Sequence, residues 1–153
     1  MEIESTVRAL IAKSCLALDG NDYPGYLALC HESFNYRIAA YSPEIRKDML
    51  WLEKSKLDLK DLFNLLPKQN MDRTPLTRHF SIFTVEPADR EGHVKVMSAL
   101  QVFRTELQGG TTSLVAVGKY LDEIQLGSDG ALLVQREVRL DTRMLGKGYH
   151  VPF

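Results

Sequence analysis

The spacing of apolar residues changes along the chain from a helical period to a strand period. Over residues 3–18, apolar side chains recur every three or four positions, which predicts an amphipathic helix ended by the polar turn at residues 19–22. A short helical segment is expected over residues 26–31. A second long helix is expected from Leu52 to about Leu66, where Pro67 would end it.

Strand patterns dominate the rest of the chain. Period-two alternation predicts one strand at 34–41, and four further stretches are rich in β-branched and aromatic residues: 79–85, 94–107, 113–126 and 131–140. The turns between these four are too short for crossover helices, so neighbouring strands are expected to pair antiparallel. The predicted fold class is α+β, with a curved antiparallel sheet of four to six strands wrapped over two or three N-terminal helices.

A single domain is predicted for residues 1–153, since domains cluster at roughly 100–150 residues. Its helical part is expected at about 3–66, with the one strand at 34–41 inside it. The antiparallel meander is expected at about 79–140. The remaining tail, 141–153, ends in the apolar residues Val151-Pro152-Phe153, which favours a tail docked on the body of the protein.

Composition and charge exclude several classes of protein. The 19 Lys and Arg against 20 Asp and Glu give a formal net charge of −1, without the cationic excess of a nucleic-acid binder. No apolar run approaches the roughly 20 residues of a membrane span. Residues 1–5 carry two acids and no base, unlike a secretory signal, so a cytoplasmic location is expected.

The sequence shows no metal-ligand motif. The two cysteines, Cys15 and Cys30, form neither a CxxC pair nor a Cys–His spacing, and the four histidines are isolated from one another. We therefore expect reduced thiols that pack in the core, and no metal centre held by this chain.

Several residues could carry chemistry, and each has a structural alternative. His79 could act as a general base, or it could order the preceding loop. Arg136 could bind a carboxylate or sulfonate, or form a buried or interfacial salt bridge with Asp122, Glu123 or a partner chain. Asp122 itself could serve as a base if burial raises its pKa. Trp51 could anchor an interface or pack in the core.

Five groups of residues follow one another in a recognisable order. They are Leu18-Asp19 with Tyr26-Leu27-Ala28-Leu29 and Phe34-Asn35-Tyr36, then Trp51-Leu52-Glu53, Leu76-Thr77-Arg78-His79, Gly118-Lys119-Tyr120-Leu121-Asp122, and Arg136-Glu137-Val138-Arg139-Leu140-Asp141. The ordered set resembles the small (β) subunit of Rieske-type ring-hydroxylating oxygenases, which share a cone-shaped fold with scytalone dehydratase and ketosteroid isomerase. Residues 41–49 resemble most the small subunits of hydroxylases that act on methanesulfonate, with the salicylate-hydroxylase type as the competing subgroup.

The resemblance implies a non-catalytic structural β subunit of a multicomponent Rieske non-haem iron oxygenase that hydroxylates an aromatic or other small organic acid, sulfonates included. The α subunit would carry a 2Fe–2S Rieske cluster and a mononuclear Fe(II), with no cofactor in this chain. Electrons would come from NAD(P)H through a reductase, sometimes with a ferredoxin. The β chains would associate as a trimer within an alpha3beta3 heterohexamer, without a nucleic-acid or membrane partner.

Structural or subunit-interface roles are expected for Trp51, Arg78, His79, Tyr120, Asp122, Arg136, Asp141 and Phe153. Two other hypotheses stay open. A stand-alone dehydratase or isomerase of the same fold would gather His79, Asp122 and Tyr36 around an open pocket of several hundred Å³, roughly 300–1,000 Å³ for a typical ligand site. A small-ligand-binding module would use Arg136 to anchor an anion.

Overall fold

Three helices and six strands make up the part of the chain that the computed structural model describes, residues 2–69, 74–128, 130–142 and 152–153. In chain order they are α1 (Glu2–Asp19), α2 (Tyr23–Ala28), β1 (Cys30–Ser42), β2 (Lys47–Ser55), α3 (Lys56–Gln69), β3 (Leu76–Pro87), β4 (His93–Thr105), β5 (Thr112–Gly127) and β6 (Gly130–Leu140). Residues 143–151 of the predicted tail, and residues 70–73 between the second long helix and the meander, lie outside the described residues. Within the described part, no helix is long and apolar enough to cross a bilayer.

All six strands form one open, curved sheet in the order β2-β1-β6-β5-β4-β3. The predicted meander is present, since β3, β4, β5 and β6 pair antiparallel in sequence. The β1–β2 hairpin joins this meander through a parallel pairing of β1 with β6, in which Ile38 lies opposite Val138. A strand from the N-terminal third of the chain therefore pairs with the edge of β6 that the meander leaves free.

One face of the sheet packs against the helices and forms the core. Burial alternates along β5 and β6, because successive side chains of a strand point to opposite faces. The helices contribute apolar stripes to the same core: Val7, Leu10, Ile11 and Leu18 from α1, and Leu59, Phe63 and Leu66 from α3. We call the space between this inner face and the helices the cone interior.

The predicted boundaries of the second long helix were wrong. Residues 52–55 belong to β2, where Leu52 lies opposite Ile38 of β1, so strand pairing overrides the local helical pattern. The helix begins only at Lys56, where the Ser55 hydroxyl accepts a hydrogen bond from the Asp58 amide at 3.2 Å, and it continues beyond the predicted end to Gln69. The short helical segment also ends earlier than predicted, because β1 already begins at Cys30.

Candidate functional site

A fully buried ion pair lies at the centre of the cone interior. Asp122 on β5 and Arg136 on β6 are register partners, and both side chains have 0% exposure. Arg136 Nε donates to Asp122 Oδ1 at 2.8 Å, and Arg136 Nη2 donates to Asp122 Oδ2 at 3.0 Å. This is the bidentate geometry that makes an arginine–carboxylate pair strong and specific. Of the alternatives for Arg136, the structure shows the buried salt bridge to Asp122.

The other faces of the Arg136 guanidinium are also occupied. Arg136 Nη1 donates to the Ser14 hydroxyl of α1 at 2.9 Å, and the Ser14 hydroxyl in turn donates a hydrogen bond to the Ile11 carbonyl oxygen at 2.6 Å. The Tyr120 ring lies against the guanidinium carbon, with 3.8 Å between that carbon and the ring centroid. The pair therefore ties α1 to two central strands of the sheet.

The attraction between the Asp122 carboxylate and the Arg136 guanidinium keeps both groups charged and occupied with each other. Burial raises the pKa of the Asp122 carboxyl, but the facing guanidinium opposes that shift. Burial alone would lower the pKa of Arg136, yet the Asp122 carboxylate and the nearby tyrosine hydroxyls outweigh it and raise this pKa well above its ordinary value. Losing one charge would leave the other buried without its partner, so both stay ionised. Asp122 is thus committed as an acceptor and is not free to act as a general base.

A second buried arginine holds the last two residues of the chain inside the cone interior. Arg78 on β3 donates from Nη2 to the Pro152 carbonyl at 2.9 Å and from Nε to the Phe153 main-chain oxygen at 3.3 Å. Its third nitrogen, Nη1, pairs with Asp19 Oδ1 at 2.7 Å at the end of α1. Arg78 therefore acts as a buried clamp between α1, β3 and the chain end.

Two tyrosines complete the contacts of Phe153. The Tyr120 hydroxyl donates to the Phe153 main-chain oxygen at 2.6 Å, and the Phe153 amide donates to the Tyr36 hydroxyl at 2.7 Å. Burial raises the pKa of both phenols. Phe153 is only 1% exposed and belongs to the same buried core as Tyr26 and Phe34.

The residues proposed for a dehydratase or isomerase do not converge. Strand alternation turns Arg78 inward and leaves His79 exposed on the outer face, where its ring meets the edge of Phe103 at 5.2 Å between centroids. Asp122 and Tyr36 lie inside and are already bonded. The small-ligand hypothesis loses its anchor as well, because Asp122 occupies the guanidinium of Arg136.

The remaining predicted site residues lie at the surface or near it. Trp51 is half-buried on β2 and packs against the core, and Asp141 is exposed, with one carboxylate oxygen 3.9 Å from Lys119 Nζ. The sequence interpretation missed the role of Ser14. The signal was present, because Ser14 is a polar residue at a buried position of the α1 stripe.

A cavity of about 530 Å³ opens on the outer face of the sheet. It is lined by outward-pointing side chains of β3 to β6: Thr84, Glu86, Lys95, Met97, Glu123 and Glu137. These acids already have partners in part, since Glu123 accepts from His93 Nδ1 at 2.7 Å. Asp122 also contributes to the lining, but its carboxylate is fully buried and faces Arg136.

The described side chains do not fit an iron–sulfur or metal centre. Cys15 Sγ lies 3.9 Å from the Tyr120 hydroxyl, and Cys30 Sγ donates to the Tyr26 carbonyl at 3.4 Å. Burial raises the pKa of the Cys30 thiol to about 12, which disfavours a thiolate ligand. Among the described residues, no group of three or more His, Cys, Asp or Glu side chains is arranged so that it could hold a metal ion. A Rieske centre needs two Cys and two His.

Comparison with known proteins identifies the family. The family described as ring hydroxylating beta subunit matches residues 13–147. The chain belongs to this family. The resemblance found in the sequence is thereby confirmed, and the interior just described is the interior of an oxygenase β subunit.

Two relatives place the chain within the family. It is 43% identical to the methanesulfonate monooxygenase hydroxylase subunit beta of Methylosulfonomonas methylovora, over 95% of this chain and 84% of the relative. It is 32% identical to the 2-aminobenzenesulfonate 2,3-dioxygenase subunit beta of an Alcaligenes species, over 88% of this chain and 89% of the relative. Both relatives are subunits of oxygenases named for sulfonates.

A solved structure supports the fold. The beta subunit of a candidate aromatic-ring-hydroxylating dioxygenase from Novosphingobium aromaticivorans superposes with a TM-score of 0.83 at 20% identity, over 97% of this chain and 95% of that chain. The predicted α+β fold, a cone shared with scytalone-dehydratase-like proteins, is confirmed.

Proposed function

We propose that this chain is a non-catalytic, structural β subunit of a Rieske non-haem iron oxygenase, and that it scaffolds the α subunits that hold the iron centres. The observation that carries the proposal is the state of the cone interior. The acid that an enzyme of this fold could use, Asp122, is locked in a bidentate pair with Arg136. Phe153 fills the neighbouring space and uses the hydroxyls of Tyr36 and Tyr120.

The redox centres are assigned to the partner. Because the described residues of this chain offer no suitable ligand set, we place the 2Fe–2S Rieske cluster and the mononuclear Fe(II) on the α subunit. An alpha3beta3 assembly around a β trimer, supplied with electrons from NAD(P)H by a reductase, completes the proposal. The two free cysteines are consistent with the reducing cytoplasm.

We further propose a sulfonate as the substrate of the assembled enzyme. The support comes from the two relatives, both of them subunits of sulfonate oxygenases, at 43% and 32% identity. The choice of substrate would be made on the α subunit, since the anion-binding candidate of this chain, Arg136, is already paired with Asp122.

Coexpression tests the assignment. The chain is produced alone and together with the α subunit of a related sulfonate oxygenase. Both samples are analysed by size-exclusion chromatography with light scattering, iron content and sulfonate-dependent oxygen uptake. The chain alone should bind no iron and show no turnover, and the coexpressed sample should contain both subunits in equal number. A chain that stays monomeric beside the iron-bearing subunit, or that turns over substrate alone, contradicts the proposal.

Substitution of the interior arginines separates a structural from a catalytic role. Arg78→Ala and Arg136→Ala should lower the yield of the assembled complex, while turnover per iron in the complex that does form stays unchanged. Arg90→Ala is the matched control, because its side chain is 67% exposed. Normal assembly with lost turnover per iron would show that the interior takes a direct part in the reaction.

A further inference from the structure

Three buried side chains hold the main chain of Pro152 and Phe153. Arg78 Nη2 donates to the carbonyl oxygen of Pro152, and the Tyr36 hydroxyl accepts from the amide of Phe153. The main-chain oxygen of Phe153 accepts from both the Tyr120 hydroxyl and Arg78 Nε. The aromatic ring is enclosed, with 1% of the residue exposed. The Pro152 carbonyl oxygen, the Phe153 amide and the Phe153 main-chain oxygen therefore each have a buried partner.

None of these partners belongs to the chain end itself. Tyr36 lies on β1, Arg78 on β3 and Tyr120 on β5, so three separate strands of the sheet carry them. We call these three side chains, with the space that encloses the ring of Phe153, the Pro-Phe cradle.

The Pro-Phe cradle is held in place by contacts that do not involve its occupant. Asp19 accepts from Arg78 Nη1 at 2.7 Å and from the Arg78 amide at 3.2 Å, which fixes the guanidinium. The Tyr120 ring is fixed against the Arg136 guanidinium, with 3.8 Å to the ring centroid. A site whose donors are oriented in advance loses less entropy when its ligand binds.

From this geometry we infer that the cone interior is a binding site for peptides and acylated amino acids of the Pro-Phe type, which the chain fills with its own residues 152 and 153. When residues 152 and 153 are removed, a free ligand of this class takes the same place. Ligands of this class carry a secondary amide, whose carbonyl oxygen and N–H are both bound, followed by a second main-chain oxygen and a phenyl ring. The inference does not depend on the proposed scaffold role, because it concerns contacts within one subunit.

The test uses the chain shortened by its last two residues, with acetyl-Pro-Phe as the probe. The midpoint of thermal unfolding of the shortened chain should rise with acetyl-Pro-Phe in a saturable manner, because a ligand that binds only the folded state stabilises it. Acetyl-Pro-Ala, which lacks the ring, should bind about ten- to a hundredfold more weakly. The full chain should show no shift, since its own residues occupy the cradle.

Two substitutions in the shortened chain locate the site. Tyr120→Phe removes one hydroxyl donor and should weaken acetyl-Pro-Phe about three- to tenfold. Tyr41→Phe is the matched control, because Tyr41 is 50% exposed and its substitution should leave the affinity unchanged.

Clear results would overturn the inference. They are a folded shortened chain that shows no saturable shift, equal binding of acetyl-Pro-Phe and acetyl-Pro-Ala, or equal losses in the Tyr120 and Tyr41 variants. If the shortened chain does not stay folded, its yield of soluble protein on dilution from urea is measured instead. Acetyl-Pro-Phe should then raise that yield well above acetyl-Pro-Ala, and equal yields with the two peptides would refute the site.

Discussion

The buried Asp122–Arg136 pair allows a quantitative prediction about stability. Asp122→Asn keeps the shape of the side chain but removes its charge. The Arg136 guanidinium, with 0% exposure, then has no counter-charge, and it keeps the Ser14 hydroxyl, the face of the Tyr120 ring and one amide oxygen as partners. Breaking a buried pair from one side costs about 3–5 kcal/mol, because the remaining charge is uncompensated. We expect Asp122→Asn to lower the free energy of unfolding by about 3–4 kcal/mol, a large share of the roughly 5–15 kcal/mol of a typical domain.

Substitution of Arg136, the other partner of the pair, should behave differently. In Arg136→Met the carboxyl of Asp122 loses the cation that favours its charged form, so its pKa rises further and it can take up a proton. The loss at pH 7 should therefore shrink as the pH falls towards 5, which does not happen for Asp122→Asn. The double variant should be more stable than the sum of the two single losses implies, with a coupling free energy of about 2–3 kcal/mol.

Urea unfolding followed by fluorescence measures these values, since Trp51 is the single tryptophan of the chain. Midpoints should shift at an unchanged slope, which shows that stability and not compactness has changed. Asp48→Asn is the matched control. This substitution breaks a bidentate pair between Asp48 and Arg139, in which the Asp48 side chain is 53% exposed. It should therefore lower the free energy of unfolding far less than Asp122→Asn does. A loss below about 1 kcal/mol for Asp122→Asn, or a coupling near zero, would refute the reasoning.

Three further predictions follow from local geometry. Gly118→Ala should lower the free energy of unfolding measured in urea by about 2–3 kcal/mol, or prevent folding, because the added Cβ would lie only 2.9 Å from a backbone Cα of the neighbouring strand. Gly127→Ala is the control and should be tolerated, because the nearest atom to its added Cβ is 3.5 Å away. Cys15 and Cys30 are buried with raised pKa values, so neither thiol should react with Ellman's reagent at pH 8 until urea is added, and reaction of the folded chain would show that the core opens. A hydrogen bond from Arg139 lowers the pKa of Asp48, so the contribution of that pair is full above the ordinary carboxyl range and is lost as the pH falls through the lowered value. The difference in melting temperature between wild type and Asp48→Asn should therefore shrink as the pH falls below that range, and a difference that stays constant there would contradict the assignment.

The local patterns predict the meander well because each of its strands pairs with the next one along the chain. The ion pair was among the predicted alternatives, since Arg136 lies in phase with apolar neighbours and needs a buried counter-charge. No local sequence pattern indicates the parallel pairing of β1 with β6, because the two strands are far apart in sequence. Residues 52–55 were misassigned for a related reason: a short apolar and charged segment fits either period until its partner strand is known.

The cradle around Phe153 could not be predicted from periodicity either. The alternation of β3 places Arg78 on the inner face, but the residues near it in sequence do not indicate which carbonyl oxygens will accept its hydrogen bonds. The apolar end of the chain predicted docking in general terms. The contacts with Tyr36 and Tyr120 appear only once three strands are brought together.

The parallel pairing of β1 and β6 also sets the order in which this protein can fold. Ile38 and Val138 are one hundred positions apart, so a very long loop must close before they meet. At about 5–20 residues per second, a ribosome needs roughly 5–20 s to make the chain between them. During that time the apolar face of β1, with Tyr36 and Ile38, has no neighbour on its β6 side. The newly made hairpin is thus a candidate client for chaperones, and the folding rate should be that of a protein dominated by distant contacts.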